Sequence, residues 1–212
     1  MIGICLRLAA RLIGKSSKAT DTEGFGSMAV TVKVTGGTKY QAFLSKMAQI
    51  AGGVKAGIFG NATQAKIGGA NIASYAFWNE FGTTIRVTPK MRAYMHYRGV
   101  HLKKETTAIK IPARPFMRTV AKSDAPKKWC SAMVAHIKGR ANNPAVWKQA
   151  LGVAGSLMKS NIQDSIMNGN WTPNAPLTVK WKAERGKSQP DKPLFDTGDM
   201  YNAITFQVVD KV

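Results

Sequence analysis

Acid is what this sequence has least of. Its 212 residues include 31 Lys and Arg against 11 Asp and Glu, a formal net charge of +20 with a pI near 10.2. Such a field favours a polyanion or an acidic protein as partner, without saying which. Cysteine is nearly absent. Cys5 and Cys130 are far apart and in no metal-type spacing, which reads as two free thiols in a reducing compartment. Histidine is scarce too. His96 and His101 stand five apart, and a zinc site there would need two more ligands. His136 sits on an amphipathic stretch, an ordinary place for a partly exposed histidine. No run approaches the roughly 18–20 uninterrupted apolar residues of a membrane span. There is no internal repeat and no low-complexity tract.

Signatures of catalysis are missing as well. No glycine loop ends in Lys-Ser or Lys-Thr, no dinucleotide fingerprint occurs, and no serine sits in a nucleophile elbow. Asp196 and Asp199 flank Gly198 in DTGD. An aspartic protease would need that string in a β-rich lobe with a second aspartate from another lobe. Here the surroundings look helical, and helix capping is the simpler account. The expectation is a protein that is not an enzyme, with no catalytic residue, no cofactor and no metal.

What is present is a core and a strongly patterned chain. Hydrophobic residues make up 44%, enough for one large domain or one domain with arms. Met1–Ile13 can form an amphipathic helix, with Arg7 and Arg11 opposite an apolar face. Residues 15–27 read as a polar linker. The helix could dock on a neighbouring subunit or lie on a membrane surface. Alternatively, a start at Met28 would make residues 1–27 an upstream extension. Val30, Val32 and Val34 alternate as a strand, and Tyr40, Phe43, Leu44, Met47 and Ile50 form a helical stripe. Val54, Ala56 and Ile58 suggest a second strand, and Asn61–Gly69 a loop.

Asn71 can cap a helix over Ile72–Phe81 that is apolar nearly all round, which predicts burial on several sides and a stop at Gly82. Ile85 and Val87, Tyr94–Tyr97 and Thr107–Ile111 predict strands of a long hairpin or meander. Pro112 and Pro115 flank Arg114 and forbid regular structure there. Ser123 can cap a helix striped by Trp129, Met133 and Ile137. Asn143-Pro144 opens the longest helix, to about Asn168, striped by Trp147, Leu151, Ala154, Met158, Ile162 and Ile166. Residues 173–186 (PNAPLTVKWKAERG) read as a turn and a short basic helix. Asp196 or Thr197 is expected to cap another short helix, and Thr205–Val209 is a last strand. The expected fold is α+β. A small antiparallel or mixed sheet packs against helices, with a projecting basic β-hairpin over 84–110 and an N-terminal helical arm. Residues 28–212 form a single domain after the arm and linker of 1–27.

Charge concentrates in one place. Positions 84–128 hold 12 basic residues against Glu105 and Asp124, a net of +10 and half of the whole. Arg86, Lys90, Arg92, Tyr94, Tyr97, Arg98, Lys103 and Lys104 are the candidate contacts with a subunit or with DNA, since cations grip phosphates and aromatics stack on bases. Glu80 and Arg114, each a charge set in a largely apolar string, are the candidate structural pair.

The order of strings carries a resemblance. VKAGIFG leads to a helix ending in NEFGT. TPKMRAY, a basic stretch and IPARPFMR follow, then a long helix, APLTVKWKAERGK and KPLFDTGDMYNAITFQV. This resembles the neck and tail-completion (virion morphogenesis) proteins of long-tailed bacteriophages, Mu-like and lambda-related, from about Val54 to Val209. Arg185-Gly186-Lys187 stands at the KG position, and the N-terminal helix and linker lie outside the pattern. The segment between NEFGT and IPARPFMR is longer than in the simplest members. The resemblance implies a non-enzymatic α+β subunit of a ring, expected to be a hexamer. That ring would sit in the virion neck and be assembled in the host cytoplasm. Its partners would be other neck, tail-terminator or connector proteins and packaged DNA in the channel, with no membrane. The alternative is a basic nucleic-acid-binding protein using residues 84–128.

Overall fold

Residues 2–7, 52–59 and 71–209 are described by the structure, a computed structural model. The strand expected at Val30–Val34, the helix after it and the loop at Asn61–Gly69 lie outside the described residues. Five strands and seven helices are described: β1 Ile2–Arg7, β2 Gly53–Ile58, α1 Ile72–Phe81, β3 Thr83–Arg86, α2 Pro89–Tyr97, β4 Ala108–Ile111, α3 Phe116–Lys122, α4 Ala125–Ile137, α5 Pro144–Asn168, α6 Pro176–Glu184, α7 Asp199–Asn202 and β5 Thr205–Val209. One sheet runs β1-β2-β5 and the other pairs β3 with β4. The class is α+β. No helix among the described residues is long and apolar enough to cross a membrane.

The chain divides into two compact units. The first draws chiefly on Ile58–Thr119 and Gln163–Ala203, the second on Gly3–Gly57, Val120–Ile162 and Ile204–Val212.

In the second unit β2 is the central strand and is buried along nearly its whole length. Its apolar residues Val54 and Ala56 are fully enclosed. It pairs antiparallel with β5, from Gly53 opposite Val209 to Gly57 opposite Thr205. Helix α5 begins where Asn143 Oδ1 accepts the Ala145 N–H at 3.0 Å, and Pro144 supplies the first helical position. Its expected stripe is buried at all six positions. Gly155 lets the helix approach the sheet. A Cβ there would come 2.3 Å from Phe206 Cδ2 and 2.8 Å from Val54 Cγ2. Helix α4 buries Trp129, Met133 and Ile137, and the Trp129 indole donates to Asn161 Oδ1 at 2.7 Å. Before it, Ser123 Oγ accepts the Ala125 N–H at 3.1 Å.

Strand β1 corrects the expected N-terminal helix over Ile2–Arg7. Ile2, Ile4 and Leu6 alternate with Gly3, Cys5 and Arg7, so the same residues carry a strand period, and pairing in the sheet decides between the two. The rest of the expected arm lies outside the described residues.

In the first unit, β3 and β4 pair antiparallel from Thr83 opposite Ile111 to Arg86 opposite Ala108. Between them the strand expected at Tyr94–Tyr97 is instead helical, as part of α2. Thr88 Oγ1 accepts the Met91 N–H at 3.2 Å and Pro89 fills the first helical position, so a cap and a proline start the helix that alternation alone did not suggest. Helix α1 has the expected bounds and cap, with Asn71 Oδ1 accepting the Ser74 N–H at 2.8 Å. Its burial on several sides is corrected. Only Ala76 and Glu80 are buried, while Phe77 and Phe81 are 48% and 42% exposed. The capping expected of Asp196 or Thr197 is also corrected. Gly198, in a left-handed conformation, occupies the cap position of α7, and Thr197 Oγ1, one residue earlier, bonds the Asp199 carboxylate and accepts the Asp199 N–H at a long 3.5 Å.

Candidate functional site

The chemistry-bearing residues of the first unit fall into three clusters, and the first is a buried polar knot. Glu80, on the inner face of α1, is 1% exposed. Its carboxylate accepts the N–H groups of Met117 at 2.9 Å and Arg118 at 3.0 Å, which are open donors in the first turn of α3. A carboxylate from another element thus serves the helix terminus, where the macrodipole favours negative charge. The Arg118 guanidinium adds a contact to Glu80 Oε1 at 3.0 Å and another to the Glu80 carbonyl at 2.6 Å. It also lies over the Phe81 ring, 4.4 Å from its centroid.

The expected Glu80–Arg114 pair is therefore not formed. Both side chains are buried, but Arg114 donates to the carbonyls of Thr172 at 2.8 Å and Pro173 at 3.1 Å, and to Asn79 Oδ1 at 3.3 Å. The reason is local. The backbone N–H of Arg114 bonds the Asn79 carbonyl at 2.6 Å, and that anchor leads its side chain to the 172–173 turn. The next turn of chain brings Arg118 to the carboxylate. Burial lowers the Arg114 guanidinium from its ordinary value.

A second cluster surrounds Lys182 on α6, which is 4% exposed. Its ammonium donates to the Lys192 carbonyl at 2.8 Å and to the Phe195 carbonyl. Burial lowers its pKa, and the charge of Asp196 opposes that shift. Asn174 Nδ2 reaches the Lys192 carbonyl at 3.0 Å. The loop from Gln189 to Phe195 is thus held from inside by donor side chains. Asp196 pairs with Arg185 at 3.5 Å, while its Oδ1 is buried without a partner.

The third cluster is the basic excursion of residues 84–110. Arg92 is committed inward, where its guanidinium clasps the carbonyls of Leu102 at 2.9 Å, Lys103 at 2.9 Å and Thr106 at 2.8 Å. Arg98 faces α6, 3.7 Å from Glu184 and 5.2 Å from the centroid of Trp181. Lys90, Tyr94 and Tyr97 recur at helical spacing along another side of α2, and Tyr97 is 85% exposed. Arg86, Lys103 and Lys104 are exposed at β3 and in the loop that Arg92 clasps. The eight candidate contacts are thus sorted. Two arginines hold the excursion in place, and the others present charge and aromatic surface outward on more than one side. Helix α2 also carries His96, whose Nδ1 stands 2.7 Å from Nδ1 of His101 in the following loop. Sequence reasoning placed these two five apart but had no signal that they meet, because the left-handed turn at Gly99 creates the approach.

Among the described residues no group of three or more His, Cys, Asp or Glu could hold a metal ion. Comparison of the chain with protein-family models, curated proteins and solved structures finds no match.

Proposed function

We propose that the chain is a structural subunit of a bacteriophage neck, forming a ring that completes the tail and joins it to the capsid portal complex. The observation that carries the reading is the order of strings from Val54 to Val209. Four of these strings lie in the first unit, and the bonds among them support it. NEFGT supplies Glu80, which serves the helix begun by IPARPFMR. Arg114 of that second string holds the turn before α6. APLTVKWK supplies Lys182, which grips the loop entering PLFDTG. Strings that hold one another through buried charge suit a rigid subunit framework. The excursion between β3 and β4, fixed at its base, is the element offered to neighbours. In this reading its outward cations meet an adjacent neck protein or DNA in the channel, with the protein made in the host cytoplasm and carried in the virion.

Particle mass and negative-stain imaging of the purified protein test the proposal. Closed rings, hexameric by expectation, support it. A monomer that retards nucleic acid replaces it with the alternative of a basic nucleic-acid-binding protein. In a phage context, deletion of residues 88–106 should leave a folded subunit that fails in head–tail joining, and normal virions from that deletion would reject the role of the excursion.

A further inference from the structure

The His96–His101 pair belongs to neither polar knot and is independent of the ring reading. Both imidazoles are exposed, and they line one recess of about 480 Å³ with Pro89, Arg92, Ala93 and Leu102. The rings meet edge to face with centroids 4.5 Å apart, and each presents Nδ1 to the other at 2.7 Å. That contact requires at least one neutral ring, because two imidazolium groups would oppose N–H to N–H. Which ring donates depends on the tautomer, and the approach of the two nitrogens is constrained by the backbone. His96 is fixed by α2. The turn through Gly99 (φ +74°) and the Arg92 clasp on Leu102 and Lys103 fix the approach of His101.

We propose that this pair is a two-imidazole site for a divalent transition ion of tetragonal preference, Cu(II) foremost, bound by both Nδ1 lone pairs in place of the hydrogen bond between the rings. Geometry separates the candidate ions. Two nitrogens bound at about 2.0 Å stand roughly 2.8 Å apart on a square-planar ion and roughly 3.3 Å apart on a tetrahedral one. The hydrogen-bonded nitrogens stand 2.7 Å apart, near the first edge, so the rings need only turn their lone pairs onto one ion, whereas a tetrahedral ion would require them to spread. Imidazole suits copper and nickel, and Cu(II) stands at the top of the divalent affinity order. The other equatorial positions open into the recess, where water or an added ligand completes the set. Arg92 lines the same recess, so an anionic co-ligand such as a carboxylate or phosphate is favoured there over a second cation. Bound metal would staple the last turn of α2 to the loop after it.

The test is titration of the full chain with Cu(II) under electron paramagnetic resonance. Ni(II), which thiols do not reduce, is followed in parallel by calorimetry. The expected result is one ion per chain, with coupling to two equatorial imidazole nitrogens. Since even a ligand's outer partner can be worth roughly 10–100-fold in affinity, His96→Ala and His101→Ala should each weaken binding at least that far. His136→Ala, the remaining histidine, should change nothing. Ions must compete with protons for neutral rings, so affinity should fall as the pH is lowered. Both side chains are exposed, and urea midpoints of the variants establish that they remain folded. Coupling to fewer than two imidazole nitrogens, binding that survives in the double variant, or tighter binding of Zn(II) than of Ni(II) would each overturn the assignment.

Discussion

At the scale of single residues, buried charge is what distinguishes this chain, and each buried charge has its own partner. Glu80 joins two backbone N–H groups and one guanidinium, so its replacement leaves those donors facing an amide that brings donors of its own. Glu80→Gln should cost about 2–4 kcal/mol in urea denaturation, in the range for charge-assisted bonds lost from a buried site. Arg118 is half exposed and solvent screens its ion pair, so Arg118→Met should cost less. A double-mutant cycle should return coupling between Glu80 and Arg118, and near zero between Glu80 and Arg114. Lys182 is expected to show itself through pH. Its folded pKa lies below the ordinary lysine value near 10.5, so the unfolded chain binds the proton more tightly. Its charged form therefore disfavours folding, and that cost is relieved as pH rises through the window below 10.5. Over that window the wild type should gain stability relative to Lys182→Met, measured as the difference in urea midpoint. Cys130 is half-buried and burial raises its pKa. Its reaction with a disulfide reagent at neutral pH should be slow in the folded protein and fast in urea.

At the scale of elements, two glycines with the same backbone angle separate strain from contact. Gly82 and Gly99 have φ of +75° and +74°. A Cβ at 82 would meet Ala113 N at 3.0 Å and Ile111 O at 3.1 Å, whereas at 99 it meets nothing within 4 Å. Gly99→Ala should cost about 1 kcal/mol for the left-handed backbone alone. Gly82→Ala should cost more, because the backbone it touches joins β4 to the Arg114 turn; thermal denaturation of the two variants compares them. The long elements were legible in the sequence for the reason such elements usually are. Helix α5 has a proline start, a glycine after its end and a stripe unbroken over twenty residues. Strands β2 and β5 alternate or run apolar between breakers. The misreadings are short and local. Over Ile2–Arg7 both periods fit and a neighbouring strand chose between them. Over Pro89–Tyr97 the Thr-Pro start was the signal, and alternating aromatics obscured it. Phe77 and Phe81 look like core by composition, yet they stack on each other with centroids 4.8 Å apart on the open side of α1. The partner of Glu80 could not be read at all. The choice between Arg114 and Arg118 turns on one backbone bond to Asn79.

At the scale of the whole molecule, each copy carries +20, so any ring of identical copies assembles against its own field. Salt should help it. Between about 0.01 M and 0.15 M the screening length falls from roughly 30 Å to roughly 8 Å, and sedimentation should show a growing share of assembled particle over that range. Nucleic-acid binding would respond in the opposite sense and weaken steeply. One series of salt concentrations therefore separates the two readings of the charge.

The sorting of cations in the excursion has a chemical corollary. Arg92, Arg98, Arg114 and Arg118 are spent on acceptors within the fold, while Lys90, Lys103 and Lys104 stand in solvent with Arg86. An acylating reagent should therefore remove the outward lysine charge, leaving Arg86, and keep the scaffold standing, with the enclosed amine of Lys182 escaping it. A dicarbonyl that condenses with guanidinium groups should take Arg86 and the half-exposed Arg98 and Arg118 while sparing the amines outside, and the enclosed Arg114 should resist it as Lys182 resists acylation.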